Sequence, residues 1–206
     1  MPMLLGFFAA TAEEQAEANT LVAAITNCGH FMPLRKDNGL EEIYFSEEAS
    51  YVHGGYTFLQ LQDELNRLAE PSTKLERRRL ANAFSRLEAR ARARLLGSMV
   101  EHPAEVTPWC IMELSQLQLT TQPGGGMHGR AAHSDGDCHV VAVSYNVEGA
   151  AVCGYEHNRK MQREMLLEPG HGWILCGSDV SRRTRKHYVM PSIGERVSLT
   201  FRYRLR

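Results

Sequence analysis

His133-Ser134-Asp135 follows a glycine-rich turn, Pro123-Gly124-Gly125-Gly126, and precedes a β-rich stretch. On an extended segment residues i and i+2 point to the same face, so an imidazole and a carboxylate there can converge on one ion. His187 opens a later strand-like stretch. Two histidines and one carboxylate on one face form a donor set suited to Fe(II), with three coordination positions left open for a chelating cosubstrate and O2. Beyond His187 come Arg196 and, two residues on, Ser198. A guanidinium beside a hydroxyl is a bidentate seat for a carboxylate. Asp137 could compete with Asp135, but the i, i+2 relation to His133 favours Asp135. His139, His157 and His171 read as ordinary polar residues, His128 as a surface histidine of the glycine-rich loop, and Trp173 and Tyr145 as core.

These residues need strands to position them. Residues 114–121 alternate, 139–147 and 151–156 are β-rich around a turn at Glu148-Gly149, and 172–176, 187–190 and 196–205 complete a run of short strands. Short strands separated by turn signals argue for a sandwich or barrel rather than a parallel α/β sheet. The first half differs. Residues 12–26, 56–69 and 72–100 carry apolar side chains near a 3.6 period and predict three helices, with short strands at 42–45 and 51–53. The expected organisation is a mainly helical flank over 1–105 and a β core over 106–206, joined in one domain.

An HxD, a long gap, a histidine and then Arg-x-Ser, all on strand-like segments, form an ordered pattern. In this respect the sequence resembles the Fe(II)/2-oxoglutarate-dependent dioxygenase superfamily. The resemblance spans residues 114–206 and is carried by His133-Ser-Asp135, Gly170-His-Gly-Trp-Ile-Leu-Cys-Gly177, His187-Tyr-Val-Met-Pro191 and Gly194-Glu-Arg-Val-Ser-Leu-Thr-Phe-Arg202; residues 1–105 show none. It implies an α+β protein with a double-stranded β-helix (jelly roll) core and flanking N-terminal helices. It also implies iron held by His133, Asp135 and His187, and 2-oxoglutarate held through its distal carboxylate by Arg196 and Ser198. Arg202 falls where AlkB-type members place a further arginine near the cosubstrate, and strand parity puts Arg196, Ser198, Thr200 and Arg202 on one face. Where the superfamily often supplies a tyrosine or asparagine, before the turn, this chain has Gln118, Thr120 and Gln122, so no residue transfers. The implied chemistry couples decarboxylation of 2-oxoglutarate to hydroxylation of a substrate C–H bond by O2, and on an N-methyl group that outcome becomes demethylation. The carboxylate of Asp135 disfavours halogenation.

Composition bounds the rest. The chain has 206 residues, 43% hydrophobic and 23% charged, with a formal net charge of −1, which excludes a disordered chain, collagen and a coiled-coil rod. The apolar run over 3–12 falls short of the roughly 20 residues that span a bilayer, and the first positive charge is Arg35. No membrane span, no secretory leader and a cytoplasmic location are therefore expected. Five cysteines without a CxxC pair read as reduced thiols. Residues 1–70 are acidic, whereas 74–95 and the last part of the chain are basic. That asymmetry fits a basic helix packed on an acidic one, or a surface for an anionic partner. The expected substrate is a small molecule or amino acid, ahead of a protein side chain. Nucleic acid, reached through the basic segments 74–95 and 182–186, ranks third, because the sequence pI of 6.8 and the lack of a base-reading motif weigh against it. Two non-enzymatic readings also stand: a cupin-like module that binds a carboxylate, and a nucleic-acid-binding module built on the basic helix.

Overall fold

The computed structural model describes residues 6–35, 39–48, 55–101, 112–125, 129–133, 140–157, 160–176, 185–192 and 194–205. The chain opens with β1 (Gly6–Ala9) and α1 (Ala12–Asn27), then passes through β2 (Leu34–Arg35), β3 (Glu41–Ser46) and β4 (Tyr56–Thr57). Three helices follow: α2 (Phe58–Ala69), α3 (Lys74–Ala81) and α4 (Ala83–Glu101). The remainder is all strand: β5 (Met112–Gln122), β6 (Arg130–His133), β7 (Val140–Glu148), β8 (Ala151–His157), β9 (Lys160–Leu167), β10 (His171–Cys176), β11 (Arg185–Val189) and β12 (Arg196–Leu205). Thr11, Thr57 and Thr73 start α1, α2 and α3 with reciprocal capping boxes to Glu14, Gln60 and Glu76, a T-x-x-E/Q signature that satisfies the orphan amides of a first turn.

An eight-stranded sheet runs in the order β1-β10-β7-β12-β5-β3-β2, with β4 paired to β3, and a four-stranded sheet runs β6-β11-β8-β9. The larger sheet thus takes strands from both sides of residue 105. β12 lies at its centre, antiparallel to β5 and to β7. One face of β12, Val197, Leu199, Phe201 and Tyr203, is buried in the main core with Leu117, Leu119, Val143 and Tyr145. Against that face pack Leu21 and Ile25 of α1 and the four-residue repeat Ala83, Leu87, Ala91 and Leu95 of α4. The opposite face looks towards the smaller sheet. At the β7–β8 turn Gly149 adopts φ 64°, and a Cβ there would lie 2.0 Å from the Glu195 carbonyl oxygen. The turn and the residues leading into β12 can approach this closely only because the position is glycine.

The structure departs from the sequence expectation in three places. The single helix over 72–100 is two helices broken at Asn82, whose φ and ψ are −104° and 1° and whose side-chain amide donates to the Arg78 carbonyl at 2.7 Å. An asparagine that bonds the preceding turn competes with helical continuation. β9 carries Lys, Met, Gln, Arg and Glu, residues of higher helical than strand propensity, yet it pairs along β8 as an edge strand; tertiary pairing overrides a weak local preference. Within the apolar run near the start, Gly6–Ala9 form β1, laid along β10. The strand expected at 51–53 lies outside the described residues.

Much of the charge asymmetry is resolved between α1 and α4. Arg90 pairs with Glu13 and Glu17, Arg86 with Glu17, and Arg94 with Glu14. Glu14 also accepts from Thr11 N at 2.7 Å and from the Tyr145 hydroxyl at 3.1 Å. Burial pushes the Glu14 carboxyl up, but the Arg94 guanidinium and these donors outweigh it and hold the group below its ordinary value. A carboxylate depressed in this way stabilises the fold above the unfolded value and loses that contribution as pH falls through the folded one. Glu14→Gln should therefore cost about 2 kcal/mol at neutral pH, discounted from the full cost of breaking a buried pair because Arg94 is partly exposed. Urea unfolding should show the gap between variant and parent narrowing as pH falls below the ordinary carboxylate value; a gap independent of pH would contradict the ion-pair account.

Candidate active site

The inward face of β12 presents Arg196, Ser198, Thr200 and Arg202 to a pocket between the sheets, as strand parity requires. Across the ladder in β5, Gln122 stands opposite Arg196, Thr120 opposite Ser198 and Gln118 opposite Thr200, and all three line the same pocket. The residues before the turn that had no assigned role are thus wall residues. Gln122 is pinned by donating to the Met190 carbonyl at 3.1 Å, and Thr200 donates to the Ser144 hydroxyl at 2.9 Å.

Arg196 is 4% exposed. Its Nε makes no hydrogen bond, and the contact of its Nη2 is the Cys153 sulfur at 4.0 Å, across the pocket on β8. Burial lowers the guanidinium pKa, while the same burial pushes the Cys153 thiol up to about 11, so the sulfur is protonated and supplies no counter-charge. Among the described residues no carboxylate pairs with Arg196. A buried cation without a counter-ion is costly in isolation, and its chemistry is that of a seat for an anion brought by a ligand.

Facing this wall, β6 and β11 bring His133 and His187 together as cross-strand partners, with ring centroids 4.2 Å apart and an interplanar angle of 58°. The His133 Nδ1 lies 2.7 Å from the Ala131 carbonyl. A carbonyl only accepts, so Nδ1 carries the proton and Nε2, which is buried, carries the lone pair. Trp173 meets the His187 ring edge-on at 5.8 Å. Asp135 lies outside the described residues, as do Asp137, His128 and His139. Two imidazoles on adjacent strands, one with its tautomer set by a backbone carbonyl, are donors that suit a metal of the Fe(II) class. His171 begins β10 opposite Ala9, away from the pocket lining.

Arg202 shares the wall with Arg196 but lies roughly 20 Å further along the strand, where its Nε and Nη2 donate to the Gln118 Oε1 at 3.1 and 3.0 Å. The two arginines therefore serve different ends of the pocket. Glu42 and Arg130 are site residues that sequence reasoning missed. Glu42 on β3 is 0% exposed and accepts from the Tyr44 hydroxyl at 2.5 Å, Gln118 Nε2 at 2.8 Å and Arg130 Nη1 at 3.2 Å. The available signal was alternation: Glu42 and Tyr44 occupy the parity opposite Ile43 and Phe45, which are core. Of the basic segments, Arg86, Arg90 and Arg94 are engaged by α1, and Lys74, Arg77, Arg78 and Arg79 remain exposed on α3. Residues 182–184 lie outside the described residues.

No family model and no curated protein matches the sequence. Solved structures do match in shape. A prolyl hydroxylase from Trichoplax adhaerens, in complex with a hypoxia inducible factor oxygen degradation domain peptide fragment, has 13% identity and a TM-score of 0.57, covering 97% of this chain and 83% of that one. A Pseudomonas putida prolyl-4-hydroxylase has 13% identity and a TM-score of 0.52 over 99% and 94% of the two chains. The viral collagen prolyl hydroxylase of Paramecium Bursaria Chlorella virus-1, as a 2OG complex, has 10% identity and a TM-score of 0.53 over 98% and 95%. The chain has the double-stranded β-helix fold of these hydroxylases. The fold implied by the resemblance over residues 114–206 and the shape of nearly the whole chain agree, and the α+β assignment holds. Among the described residues no helix is long and apolar enough to cross a membrane.

The bare double-stranded β-helix bears the cost of Arg196. Replacing this residue with methionine removes an uncompensated buried charge, so Arg196→Met should stabilise the ligand-free protein by about 1–4 kcal/mol in denaturant unfolding. The same variant should lose any rise in melting temperature that a small dicarboxylate gives the parent by mass action. A methionine variant less stable than the parent would mean that Arg196 has a counter-charge within the protein.

Proposed function

We propose that the protein is an Fe(II)- and 2-oxoglutarate-dependent dioxygenase that hydroxylates a C–H bond of a small molecule or amino acid. The overall stoichiometry is substrate C–H, O2 and 2-oxoglutarate to substrate C–OH, succinate and CO2. The observation that carries this reading is the buried Arg196, without a counter-ion among the described residues, across one pocket from the His133–His187 pair. Iron held by His133, Asp135 and His187 would supply O2 activation coupled to decarboxylation of the cosubstrate.

The chain's own residues supply position and polarity. Arg196 neutralises the distal carboxylate of 2-oxoglutarate, and Ser198, two residues along on the same face, donates a hydrogen bond to it. Gln122, fixed by the Met190 carbonyl, and Thr120 close that end of the wall. The Ala131 carbonyl keeps His133 in the tautomer that offers Nε2. Arg202, held on Gln118, lines the opposite end of the wall, where an AlkB-type arginine would approach the cosubstrate. A second reading, hydroxylation of a protein side chain, is favoured by the structural neighbours, which are named as prolyl hydroxylases, one of them with a bound peptide fragment.

Anaerobic titration of the apo-protein with Fe(II) and then 2-oxoglutarate tests the reading. A visible charge-transfer band should appear on cosubstrate addition and be absent in His133→Ala and in His187→Ala. Arg196→Gln should retain iron but require about 30-fold or more 2-oxoglutarate, the equivalent of about 2 kcal/mol for truncating one partner of a buried charge pair. Folded, iron-loaded protein without the band would favour a carboxylate-binding module of cupin type.

A further inference from the structure

The pocket has a third arginine, beyond Arg196 and Arg202, that the cosubstrate chemistry does not use. Arg130 lies on β6, three residues before His133, and lines the same cavity. Its side chain is 31% exposed, and it reaches from the smaller sheet across to Glu42 on the larger one. The tether uses a single nitrogen: Nη1 donates to the Glu42 Oε1 at 3.2 Å. Among the described residues Nε and Nη2 donate to no protein atom, so the face of the guanidinium that can grip a carboxylate with two parallel hydrogen bonds is left for a ligand.

Glu42 is suited to orient Arg130 rather than to consume it. Its one negative charge is shared among three donors, the Tyr44 hydroxyl, the Gln118 amide and the Arg130 guanidinium. With three donors and no exposure, the carboxylate is a fixed post, and Arg130 hangs from it by one nitrogen. The result is an arginine aimed by a buried acid, beside a metal-ligand histidine and distinct from the Arg196 seat.

We infer that Arg130, positioned by Glu42, binds a carboxylate of the primary substrate, and that the substrate is a small free acid such as an amino acid rather than the interior of a polypeptide. An interior peptide residue would offer a neutral amide there, forfeiting the charge-assisted pair. This inference rests on the dioxygenase reading and narrows its substrate class.

The test uses full-length protein loaded with Mn(II), in place of oxidisable Fe(II), and 2-oxoglutarate. Calorimetric titration compares common free L-amino acids with their primary amides, and cosubstrate affinity is measured separately. At least one free acid should bind tenfold or more tightly than its amide. The preference should vanish in Arg130→Gln and persist in weakened form in Arg130→Lys, which keeps a charge for Glu42 and so guards against misfolding. If no free acid binds, if acid and amide bind alike, or if the preference survives Arg130→Gln, the inference fails while 2-oxoglutarate binding stands. Failure of 2-oxoglutarate itself to bind would overturn the dioxygenase reading and this inference with it. The acid–amide comparison on the parent protein depends on no variant.

Discussion

The register of β12 is the constraint on which the rest depends. Its alternate residues do opposite work: Val197, Leu199, Phe201 and Tyr203 are core, and Arg196, Ser198, Thr200 and Arg202 are pocket. A slip of one residue against β5 and β7 would exchange the two sets, placing two arginines under the helices and two aromatic rings in the cavity. Full burial of a large apolar side chain contributes on the order of 1.5–3 kcal/mol. The core residues of β12 therefore hold the register and, with it, the depth of Arg196. Close approach at Gly149 fixes the point where the strand begins. Site geometry here follows from core packing on the other side of one strand.

The molecule treats its partly buried charges in two ways. Between α1 and α4 each buried carboxylate meets an arginine, and Glu14 gains amide and hydroxyl donors as well. Beside the pocket Glu42 is equally well provided, but among the described residues Arg196 meets only a protonated thiol. A carboxylate at the Cys153 position would have settled the charge and closed the site to anions; a neutral, polarisable sulfur packs against the guanidinium and leaves its charge available. Stability is given up at one position and kept at the others, the pattern expected where a ligand completes the structure.

The legible parts of the fold were those where local pattern and tertiary role coincide. Apolar periodicity marked α1 and α2, alternation marked β5, and β-rich composition between turn signals marked β3, β7, β8, β10 and β12 to within a residue or two. Among the pocket residues, two-residue periodicity set Arg196 and Ser198 on one face, whereas His133 and His187 were joined by the order of the family pattern. β9 was hidden because its residues take strand form only by pairing with β8, and the break at Asn82 because one amide competing with the helix leaves the apolar stripe intact. Arg130 and Glu42 were missed for another reason: alternation sets Glu42 opposite the core residues of β3 but names no partner for it, and the ion pair exists only because the two sheets face one another.

That ion pair also shows why residues before 106 belong to the chemistry as well as to the scaffold. β1 covers the β10 edge of the larger sheet, β3 covers β5, and α1 and α4 cover the apolar face of β12. The motif resemblance spans only 114–206, whereas the likeness in shape extends over 97–99% of the chain, so the flank is common architecture carrying its own side chains. The carboxylate seat is built from β12 and β5, and the histidine pair from β6 and β11. Only the Glu42–Arg130 wall needs a strand from the first half of the chain. Substitutions in β3 can therefore alter what the pocket accepts without touching the residues that would hold iron or 2-oxoglutarate, because β3 supplies neither the histidine pair of the smaller sheet nor Arg196 and Ser198 of β12.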